Sequence, residues 1–141
     1  MSDGLLTSRL LVLGLGILAA GCGSGASTGG VMPPPGAPTL TDVQAQVFTP
    51  RCALSGCHVE PGAQLGLNLA PGSTAASTIG VASAEVPSLM RVEPFNADDS
   101  YVYMKLIGDP RILGDPMPLT GGSLGAGDLA LVQTWIDQGA M

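Results

Sequence analysis

The sequence predicts a mostly α domain of short helices joined by long loops, and three observations carry that expectation. Apolar residues recur at helical spacing over 40–49, 98–107 and 126–138. The alternating Leu65, Leu67 and Leu69 suit no more than a short extended segment. The 21 glycines and 12 prolines run through the whole chain and break it into short pieces.

The N-terminal stretch is set apart from that domain. Arg9 is followed by an unbroken run of small and apolar residues, Leu10 to Gly21, ending at Cys22. A short charged region, a short apolar region and then small residues is the grammar of a secretory signal. The run falls short of the roughly 20 apolar residues that span a bilayer. Leu18-Ala19-Ala20-Gly21-Cys22 resembles a bacterial lipobox, which implies a lipoprotein signal peptide over 1–21 and lipidation of Cys22. The alternative is a plain cleaved signal with an idle Cys22. Residues 22–38, rich in Gly, Ser and Pro and nearly free of charge, form a tether that cannot bury a core. The folded domain is then 39–141, about the size of one small domain.

Each helix has its own start and stop signals. Val43 and Val47 share a face over 40–49, with Thr39 or Thr41 as N-cap and Pro50 just past the end. A weaker helix is expected over 73–79. Residues 98–107 pair Val102 with Leu106 and Tyr103 with Ile107, behind an Asn96–Asp99 capping cluster and before Gly108. The clearest is 126–138, where Leu129, Val132 and Ile136 form a stripe that Leu131 and Trp135 widen. Asp128 complements its dipole and Gly139 ends it.

Cys52-Ala53-Leu54-Ser55-Gly56-Cys57-His58 is the segment that carries chemistry. Two thiols followed at once by an imidazole suit covalent haem attachment: each sulfur adds to a vinyl group and the histidine ligates iron. Four residues separate the cysteines here in place of the usual two, a departure from the motif that an extra pair bulging out of the loop can absorb. His58 is the only histidine. That count excludes a blue-copper centre, which needs two, and bis-histidine haem. A structural zinc site would lack a fourth Cys/His ligand. The competing reading is a Cys52–Cys57 disulfide in an exported, haem-free lipoprotein that acts as a structural or binding module.

A second axial ligand would have to be a methionine. Met104 falls inside a helix and reads as core filler, Met32 is in the tether, Met141 ends the chain, and Met90 follows His58 closely. Met117 differs, because Pro116 and Pro118 restrict its backbone on both sides in a turn-rich loop before the last helix.

Taken in order, the Phe48-to-Cys52 approach, Cys57-His58, Met117-Pro118 with its glycine-rich turn, and Trp135-Ile136-Asp137-Gln138-Gly139-Ala140 resemble cytochrome c. The likeness covers about 42–140 and is strongest to the small mono-haem domains of bacterial lipoproteins. It implies short helices and long loops wrapped around one haem c per chain. It implies covalent attachment through Cys52 and Cys57, His58 and Met117 as axial iron ligands, and Phe48 and Trp135 packing near the haem. A hexacoordinate iron carries electrons and leaves no open position for a substrate, so the implied role is an electron carrier and not an enzyme. Its partners would be a redox donor and acceptor, with a lipid anchor in a bacterial membrane facing the periplasm or cell surface.

Charge narrows the partners further. Without residues 1–21 the chain keeps Arg51, Arg91, Lys105 and Arg111 against ten acidic residues. Nucleic acid is excluded as a partner, since its recognition rests on basic patches. An acidic carrier would be steered modestly toward basic rims.

Overall fold

The computed structural model describes residues 34–141. The expected signal peptide, Cys22 and the tether as far as residue 33 lie outside the described residues.

The chain enters the domain through a turn in which Ala37 N–H donates to Pro34 O at 2.9 Å. Helix α1 (Leu40–Val43) then starts at a full capping box: the Thr39 side chain accepts from Asp42 N–H while the Asp42 carboxylate accepts from Thr39 N–H. Those bonds to Thr39 hold the Asp42 carboxyl below the usual carboxylate range. The helix does not stop before Pro50 as the sequence predicts. It passes through a π segment, Gln44–Phe48, into α2 (Thr49–Arg51). Pro50 falls in the first turn of α2, where the ladder changes from π to α spacing and a missing N–H is tolerated.

Helix α3 (Thr74–Thr78) is the weak helix expected near 73–79. Leu65 lies in a 3-10 turn, Gln64–Gly66, and the chain is extended at Leu67. Residues 98–107 divide in two. A 3-10 turn, Ala97–Asp99, is capped by the Asn96 side chain, and α4 (Tyr101–Ile107) follows it. The break is at Ser100, whose backbone is extended while its hydroxyl donates to Asn96 O at 2.8 Å. Helix α4 ends at Gly108 with φ 69°, as its sequence signal requires.

Helix α5 (Ala126–Asp137) is the centre of packing, touching α1, α4 and the 97–99 turn. Val132, Trp135 and Ile136 are its buried positions, with Leu129 and Leu131 half-buried beside them. They meet Val43, Val47 and Phe48 from the first helix and Val102, Tyr103 and Leu106 from α4. Each such side chain gains roughly 1.5–3 kcal/mol on burial. Polar ties fix the register: Tyr103 Oη donates to Gln133 Oε1 at 3.1 Å, and both Leu40 N–H and Trp135 Nε1–H donate to Met141 O at 3.1 Å.

The described residues are about 39% helical. In place of strands they carry isolated bridges, such as Ile79 with Val92 and Met90 with Ser100. The fold is therefore helical with long connections and little strand.

The end of α5 rests on one glycine. Gly139 has φ 101°, and a Cβ there would stand 2.7 Å from the Phe95 ring. Gly139→Ala is expected to destabilise the domain by about 1–3 kcal/mol, through left-handed strain plus that contact. Urea unfolding checks this, and adding Phe95→Ala should recover only the contact part.

Candidate haem-attachment site

The first helix delivers Cys52. Phe48 O accepts from both Cys52 N–H (2.9 Å) and Ala53 N–H (2.7 Å), which closes the helix and turns the chain. Leu54, Ser55 and Gly56 are exposed, and Gly56 has φ 80°. Behind them His58 N–H donates to Cys52 O at 3.2 Å, and Cys57 N–H donates to Leu54 O at 2.9 Å. The longer cysteine gap is thus taken up in an exposed bulge while its ends are pinned together. Gln64 N–H then binds Cys57 O and Leu69 N–H binds His58 O, so the segment is tied into the next loop.

A cavity of about 450 Å³ lies against this segment, within the ordinary range for small-molecule and cofactor sites. Its walls are mainly apolar, supplied by Phe48, Leu67, Leu69, Val102 and Leu106 among others. Cys52, Cys57, His58 and Met117 all line it. Met117 arrives from the far loop, where its N–H donates to Lys105 O at 2.8 Å and its bond to Pro118 is cis. Met90, Met104 and Met141 do not line the cavity, and Met104 is fully buried in the core. Phe48 is part of the wall. Trp135 is not; it stands behind Phe48 in an edge-to-face contact, ring centroids 6.2 Å apart and planes at 83°.

The two cysteines are free thiols of unequal exposure. Burial pushes the Cys52 thiol up to about 11, against a small opposing pull from Arg51. Cys57 is half-buried. His58 is held below its ordinary value, chiefly by burial; the Leu67 backbone opposes that and Arg91 adds to it. Its Nδ1 is buried and has no hydrogen-bond partner. The lowered value favours the neutral imidazole. Neutral imidazole is the form that binds a metal.

Sequence reasoning missed the cations around this cavity. Arg51, Arg91 and Lys105 all line it, and each is turned toward backbone carbonyls. Arg51 donates to Gly121 O (3.0 Å) and Gly122 O (2.7 Å). Arg91 donates to Leu65 O, Gly66 O and Ser77 O at 2.7–3.0 Å. No local pattern marks these residues; the only signal is that cations are so scarce in the chain.

Among the described residues, no three His, Cys, Asp or Glu side chains are grouped so as to hold a metal ion directly. No described helix is long and apolar enough to cross a membrane. No family model, curated protein or solved structure matches the chain.

In protein produced without haem, Cys57 should alkylate before Cys52. Cys52 is expected to react about tenfold or more slowly in the native state than in denaturant, as its thiolate is suppressed and shielded. Peptide mapping after timed iodoacetamide quenches checks this. Equal native rates would contradict the burial assigned to Cys52.

Proposed function

We propose that the chain is a lipid-anchored mono-haem c-type cytochrome that carries single electrons between redox proteins. The observation that carries the reading is the convergence of Cys52, Cys57, His58 and Met117 on one apolar cavity. Met117 is remote from the motif in sequence, and it is the one methionine among those described that reaches this wall.

The residues present fit the group. Cys52 and Cys57 would each form one carbon–sulfur bond by adding S–H across a vinyl group, with no oxidant needed. His58 would ligate through a ring nitrogen and Met117 through sulfur. A haem held there would supply a one-electron iron couple, with methionine ligation favouring a higher potential. The apolar wall formed by Phe48, Leu67 and Leu69 would keep water from the ring. With His58 and Met117 both holding the iron, the site would serve transfer and not substrate activation. Cys22 would hold the lipid, the 22–38 tether would lift the domain off the membrane, and the acidic surface would meet basic partners.

Protein matured alongside a c-type haem assembly system tests this. The expected result is a c-type pyridine haemochrome spectrum that survives acid-acetone extraction, together with a reversible one-electron couple. A colourless product beside a matured control cytochrome would defeat the proposal. Met117→Ala should keep the covalent colour and lower the potential by on the order of 0.1 V, within the roughly 0.8 V that axial ligation spans. It should also open the ferrous iron to carbon monoxide. An unchanged potential would remove Met117 from the ligand set.

A further inference from the structure

Lys105 is the one buried cation of the described domain, 8% exposed, and it sits on α4 at the cavity wall. Its ammonium pairs with Glu85 Oε2 at 3.0 Å. It also donates to Leu113 O and to Asp115 O (3.3 Å), both in the loop that carries Met117. The same α4 turn holds that loop twice more. Lys105 O accepts Met117 N–H at 2.8 Å, and Tyr101 Oη accepts Leu113 N–H at 3.0 Å. The ammonium lies 5.6 Å from the Tyr101 ring centroid, which adds a cation–π contact.

These bonds bear on a loop with little else to fix it. Leu113 and Leu119 are exposed, so apart from half-buried Met117 and Pro118 apolar burial does little to anchor the segment between them. A buried ammonium with a carboxylate partner and convergent carbonyls is costly to disrupt, because each group left behind would be unpaired. We infer that Lys105 is a positioning residue that fixes the Met117 loop against the cavity, so that the Met117 thioether is presented in one place. The inference rests on the reading of Met117 as an axial ligand. Glu85 holds the ammonium from outside the loop, so the clamp has a fixed end.

The test uses Lys105→Met, Lys105→Arg and wild type, each matured with haem, with hydrogen exchange read at the Leu113 and Met117 amides. Lys105→Met is expected to keep covalent haem and lose the methionine–iron charge-transfer band. Its ferrous form should bind carbon monoxide, and those two amides should exchange about tenfold or more faster than in wild type. Lys105→Arg, which keeps the charge and the donors, should restore much of the band. If Lys105→Met keeps the band and refuses carbon monoxide, the positioning role is overturned, even should the potential shift from loss of a nearby charge. If Lys105→Met does not accumulate, Glu85→Gln takes its place. It should speed exchange at the same amides severalfold, and unchanged exchange would overturn the clamp. If wild type itself is colourless, the haem reading fails, while exchange in the haem-free variants still decides whether Lys105 holds the loop.

Discussion

Phe48 is where the core and the cavity share one wall. Its ring meets that of Trp135 at a near-perpendicular angle, and the same ring lines the cavity. Its carbonyl accepts the two N–H groups that turn the chain into the cysteine loop. The position of Cys52 is thus set by the packing of the first helix against α5. Truncating a buried aromatic ring of this kind typically costs about 3–5 kcal/mol, and here the loss would reach the site as well as the core. The π segment belongs to the same constraint. It ends on Phe48, and both Val47 and Phe48 are fully buried.

The economy of charge is the second organising feature. The described domain has four basic side chains, and all four donate to backbone carbonyls. Arg51, Arg91 and Lys105 do so around the cavity, while Arg111 reaches Asp98 O and pairs with Asp99 and Asp109 on the surface. Long loops leave many carbonyls without a ladder partner. In this chain long cations tie such loop carbonyls, most of them on exposed residues, where a sheet would otherwise do so. Ten acidic side chains against these four cations leave the described domain with an acidic balance.

Much of the architecture was legible in the sequence because it depends on local rules. The Leu129–Val132–Ile136 stripe, the Thr39 cap, and the stops at Gly108 and Gly139 each follow from neighbouring residues alone. Cys57-His58 and Met117 were singled out by local pattern, and the structure brings them to one cavity. What was not legible depends on contacts between distant segments. The helix continues past Pro50 because the ladder has already shifted to π spacing, which no propensity of Thr49 or Pro50 announces. Ser100 interrupts 98–107 because its hydroxyl has better partners in Asn96 and Glu93. Trp135 sits a layer behind the cavity because Phe48, one helix away, takes the front position. The carbonyl partners of Arg51 and Arg91 lie up to 71 residues away in the chain, beyond any local pattern.

Cys52 and Cys57 are proposed to hold a cofactor at the cavity they share with His58 and Met117. Intact-mass analysis of the purified, denatured domain from haem-maturing cells tests it most directly, followed by the mass of the peptide spanning 52–58. The expected result is one haem added per chain, retained through denaturation and located on that peptide, with neither cysteine available to a thiol reagent before or after reduction. A mass lower by two hydrogens than the free-thiol chain, with two thiols released on reduction, would identify a disulfide and rule out haem attachment there.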